Sequence, residues 1–275
     1  MTFTRRLKRF VDNLFPRMTA VRRARRSRRG SHRDAIAKGY AALDRRLVEI
    51  IGLTVQSGPF AGMHMSPLTL REHAGPELLG VYEAELHPHL ERLLARTYPQ
   101  VIDVGAKYGY YAVGLARRLP GAESVAFDID PWARRATREM ARANGVSATL
   151  RVLGFATPAW FDRHLQPGAL VVSDCEGFEG VLFPAIRTPA LDTCTLVIEV
   201  HEAMAAGVTE RLLARLSATH AITRVPTRGP MRVPEAVRAR LASHFSDAEL
   251  VVLTDELRGS QQEWMVAEPL GRATG

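Results

Sequence analysis

The sequence predicts an α/β fold, in which helices cover both faces of a mostly parallel, seven-stranded sheet. Two observations predict it. From about residue 100 onward, short apolar runs rich in β-branched residues alternate with segments of helical periodicity. Several of these runs end in polar side chains, and ligands of open α/β sheets bind at the carboxyl ends of the strands. At 275 residues and 46% hydrophobic content, the chain can bury the core of one sizeable domain with additions.

The expected elements follow in chain order. The first strand covers residues 101–104, and a helix follows it until Pro120 and Gly121. The second strand ends at Asp128, and Asp130 with Pro131 predicts the N-cap and first residue of the next helix. Further strands are expected at 148–155, 169–173, 195–200, 221–225, 250–254 and 263–267, the last two as an antiparallel pair, with helices at 210–218 and 234–244.

The turn after the first strand indicates a nucleotide site. Asp103 precedes Gly105 and Gly109, and this G-x-x-x-G spacing differs from the G-x-G-x-x-G of dinucleotide sites, which argues against a dehydrogenase. Glycines let the backbone approach a ligand, and free N–H groups at a helix start favour negative charge. An acidic residue here suits a ligand with an ammonium group, such as the methionine end of S-adenosylmethionine. Asp128 lies where a ligand of the ribose hydroxyls is expected.

Polar residues also follow the strands at 169–173 and 195–200. Asp174 and Glu176 share one face if the first of these strands continues, and Glu199 shares a face with His201. Four polar groups then converge on one crevice. A histidine at a strand end also fits a purely structural, hydrogen-bonded role. We expect Glu179 and Glu202 to lie in the solvated first turns of the following helices, where acidic residues are favoured.

Six segments between residues 58 and 202 resemble the FkbM family of class I S-adenosylmethionine-dependent methyltransferases. In chain order they are GPFAGM, LLGVYEAELHP, VIDVGAKYGYYA, VAFDIDP, SDCEGFEGVL and LVIEVHE. The resemblance implies a Rossmann-like class I methyltransferase fold, a three-layer sandwich, with S-adenosylmethionine as cofactor. The cofactor residues that it implies are Asp103, Gly105, Ala106, Gly109 and Asp128, with Tyr82 and Glu83 closing over the methionine end. Lys107 departs from the family, in which many members have asparagine there.

The resemblance also implies O-methylation, but it leaves the acceptor open. The methyl group of the cofactor is already activated, so the protein must place an acceptor oxygen and deal with its proton. We predict His201 as the general base, oriented by Asp174 or Glu199, because an ordinary histidine titrates near neutrality. The alternative is a divalent ion held by Asp174, Glu176 and Glu199, whose oxygen ligands suit magnesium. The spacing of these residues along the sequence does not distinguish a general base from a metal ion. Our prediction is the general base, which does not require a metal.

Residues 1–33 form a basic arm whose net charge of +11 exceeds that of the whole chain. They contain 12 Lys or Arg residues against the single acid Asp12, whereas the whole chain has a net charge of only +8. Apolar residues at helical spacing from Leu7 to Phe15 predict a short amphipathic helix, which suits an anionic membrane surface. The Arg-rich stretch after it also fits a nucleic acid, a targeting segment or a disordered tail without a partner.

The expected organisation is therefore the arm at 1–33, a helical lid at 34–98 with helices at 36–51 and 77–94, and the cofactor-binding domain at 99–270. Two cysteines give no disulfide framework or zinc spacing. No apolar run approaches the length of about 18 to 20 residues that a membrane span needs. We expect a cytoplasmic protein that methylates a hydroxyl of a small molecule, a sugar or a lipid-linked glycan, and its arm allows peripheral contact with a membrane. The alternatives are a nucleic-acid methyltransferase recruited by the arm and a non-catalytic nucleotide-binding adaptor.

Overall fold

The computed structural model of the protein describes residues 31–229, 231–258 and 262–271. Residues 1–30, and with them the amphipathic helix expected in the basic arm, lie outside the described residues. The membrane, nucleic-acid and targeting hypotheses for the arm therefore stay predictions. Among the described helices, none is long and apolar enough to cross a membrane.

A seven-stranded sheet forms the centre of the molecule. Its strands are β1 (Gln100–Val104), β2 (Glu123–Phe127), β3 (Leu150–Leu153), β4 (Leu170–Ser173), β5 (Thr195–Val200), β6 (His220–Pro226) and β7 (Glu263–Pro269). Their spatial order is β3-β2-β1-β4-β5-β7-β6, and only β7 runs antiparallel to both of its neighbours. This mostly parallel sheet confirms the Rossmann-like three-layer fold that the sequence predicts.

In the part of the chain that the structure describes, ten α-helices cover the two faces of the sheet. They are α1 (Ser31–Ile51), α2 (Gly75–Leu79), α3 (His87–Leu94), α4 (Tyr110–Arg118), α5 (Pro131–Ala143), α6 (Pro158–His164), α7 (Glu179–Ala185), α8 (Val208–Leu216), α9 (Glu235–Leu241) and α10 (Asp247–Leu253). Apolar side chains of α6, α7 and α8 form the core on one face. Those of α1 to α5, α9 and α10 form the larger core on the other. Residues 34–98 thus share a core with the sheet domain, while the boundaries proposed for them stay a prediction.

The segment 77–94, expected as one helix, is two helices with a turn between them. Gly80 ends α2 with φ +73, and a Cβ on it would lie 2.0 Å from the carbonyl oxygen of Ser57. A residue with a side chain would not fit at this position, so the turn requires glycine. α3 lies beside β7, as ion pairs from Arg92 and Arg96 to Glu268 show, and β7 is an inner strand.

The strand expected at 250–254 was also wrong, because these residues belong mostly to α10. Ser246 and Glu249 form a capping box, in which each side chain accepts the other residue's backbone N–H. Leu250 and Leu253 then bury one helical face. The antiparallel pairs are instead β5 with β7 and β6 with β7.

Candidate functional site

The candidate site lies at the carboxyl ends of β1, β4 and β5. The connections of the sheet change direction between β1 and β4, and this switch point is where open α/β sheets bind ligands. The described structure places Asp103 and Glu199 near the ends of β1 and β5. The other predicted site residues lie in the segments that follow β1, β2, β4 and β5 or in the turn between α2 and α3.

Both glycines of the first turn are required by protein contacts. Gly105 has φ +88, and a Cβ on it would lie 1.8 Å from the carbonyl oxygen of Asp174. Gly109 has φ +94, and a Cβ there would lie 2.8 Å from Thr137. The N–H groups of Gly105 and Ala106 both donate to the carbonyl of Phe127. The sequence analysis expected a ligand to lie close to the backbone of this turn. In the structure, other segments of the protein already lie close to it.

Asp128 joins the turns that follow β1 and β2. One carboxylate oxygen accepts the backbone N–H of Lys107 at 2.8 Å, and the other accepts that of Asp130 at 2.7 Å. Each oxygen keeps a second lone pair for a ligand hydroxyl. Lys107 takes part through its backbone, at φ +50, while its ammonium group pairs with Glu72 at 3.3 Å. Asp130 caps α5 through a 2.9 Å bond from Trp132, as the sequence predicted.

Asp103 has an unsatisfied carboxylate oxygen near the carboxyl end of β1. Only 3% of the residue is exposed, and its Oδ2 atom is buried without a hydrogen-bond partner. Burial raises the pKa of Asp103 to about 7, against the opposing effect of a hydrogen bond from the backbone of Ala112. Because buried polar atoms are nearly always paired, this oxygen marks a place for a hydrogen-bond donor that the protein does not supply.

A second set of charged side chains lies beside the turn, and we call it the charge cluster. It consists of the carboxylates of Glu83, Asp174, Glu179, Glu199 and Glu256 with the cations Arg258 and His201. Five acidic groups therefore face two basic ones. The structure brings together the predicted Asp174, Glu199, His201 and Glu83. It adds Glu179, which was expected in a solvated turn, and Glu256 and Arg258, which the sequence did not indicate.

Arg258 is the main residue that sequence reasoning missed. Its guanidinium contacts Glu199 at 2.6 Å, Glu83 at 2.9 Å and Glu256 at 2.6 Å. Glu83 also accepts a short hydrogen bond from the Tyr111 hydroxyl and has φ +51, an unusual conformation for a residue with a side chain. Its predicted contact with the cofactor stays a prediction. Tyr82, also predicted to close over the cofactor, is half-buried and packs edge-on against Tyr110.

Glu179 is buried, which corrects the expectation of a solvated first turn. Its carboxylate accepts the N–H groups of Cys175 at 2.7 Å and Gly177 at 2.8 Å, and it lies 3.2 Å from His201 Nδ1. Glu176 is exposed in a left-handed turn after the end of β4, so it does not share a face with Asp174. Glu202 is exposed, as expected, but it lies in the turn before α8 and accepts the N–H of Thr209 in the first turn of that helix.

The carboxylates around His201 hold its imidazole in the charged form. The ring is 2% exposed, and although burial lowers its pKa, contacts with Glu179 and Glu199 raise the pKa to about 11. Burial opposes ionisation of Glu199 as well, yet His201 and Arg258 lower the pKa of that carboxyl to about 2. Burial and the charge of Glu199 raise the pKa of Asp174 well above its ordinary value. In this arrangement His201 is a proton donor, which is contrary to the general base that the sequence suggested.

Comparisons with known proteins bear on the fold alone. No family model matches the sequence, and no curated protein matches it. One similar solved structure is the O-methyltransferase TomG from Streptomyces achromogenes in complex with SAM, with 14% identity over 69% of this chain and 81% of that one, at a TM-score of 0.46. TrmN from Thermus thermophilus is 18% identical over 71% of this chain and 49% of its own length, at a TM-score of 0.44. The precorrin-6y C5,15-methyltransferase from Geobacter metallireducens is 11% identical over 68% of this chain and 86% of its own length, at a TM-score of 0.42.

Proposed function

We propose that this protein is an S-adenosylmethionine-dependent methyltransferase of the FkbM type, which methylates a hydroxyl of a small molecule, a sugar or a lipid-linked glycan. The observation that carries the proposal is the buried, unpartnered Oδ2 of Asp103 at the carboxyl end of β1. The ammonium group of a bound methionine moiety would satisfy this oxygen. Asp128 has free lone pairs for ribose hydroxyls at the end of the neighbouring strand, so the residues present fit this cofactor.

The acceptor is assigned to the side of the crevice where Asp174 is exposed. Its side chain is 30% exposed, whereas His201 and Glu199 behind it are buried, so Asp174 is the member of the three that can contact an acceptor directly. Glu199 and His201 act by holding that carboxyl in place. When bound, S-adenosylmethionine supplies an activated methyl group, which passes to the acceptor oxygen while the sulfur keeps the electrons of the broken bond. Asp174 is the group that can guide the departing hydroxyl proton toward solvent.

The first test is calorimetric binding of S-adenosylhomocysteine to the purified chain between pH 6 and pH 8. Asp103 must be ionised to accept the ammonium group, and its pKa is about 7. Affinity should therefore rise with pH and level off above pH 7, while binding at pH 6 should release a proton, seen as a heat that depends on the buffer. Asp103→Asn should weaken binding at pH 8 by about 1.5 to 3 kcal/mol and flatten the pH dependence.

Two controls accompany this measurement. NAD should not bind, and Asp247→Asn, a change to an exposed carboxylate at the start of α10, should leave the affinity for S-adenosylhomocysteine unchanged. A folded chain that does not bind S-adenosylhomocysteine at any pH would contradict the methyltransferase proposal. Binding that keeps the wild-type affinity and pH dependence in Asp103→Asn would remove Asp103 from the cofactor site.

A further inference from the structure

We propose that Asp174, Glu199 and His201 form a binding site for a divalent transition-metal ion, such as Mn²⁺ or Zn²⁺, and that Glu179 orients the histidine ligand. Asp174, Glu179 and His201 present ligand atoms that all lie within 4.8 Å of one another, and Glu199 borders the same imidazole nitrogen as Asp174. This set differs from the one weighed from the sequence, because Glu176 lies outside the site and His201 takes part.

The distances within this group also fit a shared cation, whose binding would release the Nε2 proton of the charged His201 imidazole. His201 Nε2 lies 3.4 Å from Asp174 Oδ1 and 3.3 Å from Glu199 Oε2. Hydrogen bonds between charged groups are shorter, about 2.7 to 2.9 Å. Neighbouring ligands of a four-coordinate cation bound at about 2.0 to 2.2 Å lie roughly 3.3 to 3.6 Å apart. Asp174 Oδ1 is buried without a hydrogen-bond partner, so it is free to bind an ion.

The other imidazole nitrogen is held as in protein metal sites. A histidine ligand usually donates its second N–H to a carboxylate, which fixes the orientation of the ring. Here Glu179 lies 3.2 Å from Nδ1, and it is itself fixed by the N–H groups of Cys175 and Gly177. Glu199 in turn is held by Arg258 through Oε1, which leaves Oε2 toward the histidine. Each proposed ligand on the inner side of the site is therefore oriented by a second residue.

Charge and ligand chemistry indicate the kind of ion. The charge cluster contains five carboxyl groups and two basic side chains, so a cation would reduce its excess of acidic groups. Two carboxylate oxygens with one imidazole nitrogen suit Mn²⁺ or Zn²⁺ better than Ca²⁺ or Mg²⁺, which prefer oxygen ligands alone. The partly exposed Asp174 leaves a side from which an acceptor hydroxyl can reach the ion and be acidified by it. This last role rests on the proposed methyl transfer, whereas binding of the ion does not.

The test is titration of the full chain, dialysed against a chelator, with Mn²⁺ alone. We expect one saturable site by calorimetry, a spin-echo signal from a coordinated imidazole nitrogen, and a higher melting temperature with the ion. Asp174→Asn, a change at a partly exposed position, should weaken binding at least tenfold. Glu179→Gln should weaken it about 10- to 100-fold. His73→Gln is the matched control, because His73 also contacts a buried carboxylate, that of Asp44, but outside the cluster, and it should leave binding unchanged.

The outcomes separate this proposal from the proposed function. No saturable Mn²⁺ binding by the folded chain would overturn it, as would full affinity in Asp174→Asn or a spin-echo signal without coordinated nitrogen. Since S-adenosylhomocysteine is titrated without the metal, and the metal without S-adenosylhomocysteine, either experiment can fail while the other succeeds. If Glu179→Gln proves too unstable to purify, Asp174→Asn with the spin-echo measurement still decides the question.

Discussion

Replacing Arg258 with methionine is expected to cost about 3 to 5 kcal/mol of folding free energy at pH 8. The Arg258 side chain is 17% exposed, and its guanidinium contacts Glu83, Glu199 and Glu256, of which the first two are almost fully buried. Removing it leaves their carboxylates without their cation, and breaking one side of a buried ion pair has an effect of this size. Urea denaturation of the wild type and the variant measures the difference.

The folding free energy lost in Arg258→Met should depend on pH, and the carboxyl groups near Arg258 determine the direction of this dependence. Burial and the charge of Glu199 already raise the pKa of Glu83 well above its ordinary value, and loss of Arg258, which lowers the pKa of both Glu83 and Glu199, would raise both values. A carboxyl whose pKa is higher in the folded state than in the unfolded state favours folding at low pH, and this contribution is lost as the pH rises through the folded value. The difference between wild type and Arg258→Met should therefore shrink from pH 8 to pH 5.

Arg224→Met provides the matched control for this prediction. Arg224 also makes a two-bond contact with a glutamate, Glu263, but its side chain is 56% exposed. Exposed ion pairs contribute at most about 1 kcal/mol, so this variant should lose little stability and show little pH dependence. Equal losses in the two variants, or a loss in Arg258→Met that does not change with pH, would contradict the buried-charge account.

Most strands could be predicted because their signals are local. β5 has the predicted bounds, and β4 and β7 differ from them by at most two residues at an end. A run of apolar residues bounded by turn residues contains that information within a few positions. Residues 250–254 show the limit of the approach: two valines and two leucines favour a strand, but the capping box at Ser246 and burial of one helical face make them helical.

Part of the candidate site could be predicted for a related reason. Asp103, Asp174 and Glu199 each lie at or directly after the end of a parallel strand, and those ends meet at one edge of the sheet. Arg258 has no such marker. It is 59 residues from Glu199 and 175 from Glu83, and only the tertiary structure brings them together. The charge state of His201 could not be predicted from the sequence either, because it depends on which carboxylates surround the ring.

Gly105→Ala is expected to destabilise the protein by about 4 kcal/mol or more, before any ligand is considered. The new Cβ would lie 1.8 Å from the carbonyl oxygen of Asp174, which is backbone and cannot rotate away, and φ +88 is unfavourable for alanine. Gly109→Ala should cost less, because the nearest atom, at 2.8 Å, belongs to the side chain of Thr137. Gly39→Ala, in α1 with no atom within 4 Å, should stabilise by about 0.5 to 1 kcal/mol.

This order of effects distinguishes two reasons for a glycine turn at the end of β1. If the glycines served only to admit a ligand, the alanine variants at 105 and 109 would denature in urea like the wild type and lose only affinity for S-adenosylhomocysteine. If the contact with the segment after β4 requires Gly105, stability falls first, and the position of Asp174 changes with it because the two segments touch at this point. Urea denaturation and calorimetry on the same three variants separate these cases. We expect the second, since the space that a Cβ on Gly105 would need is already occupied by the backbone that carries Asp174.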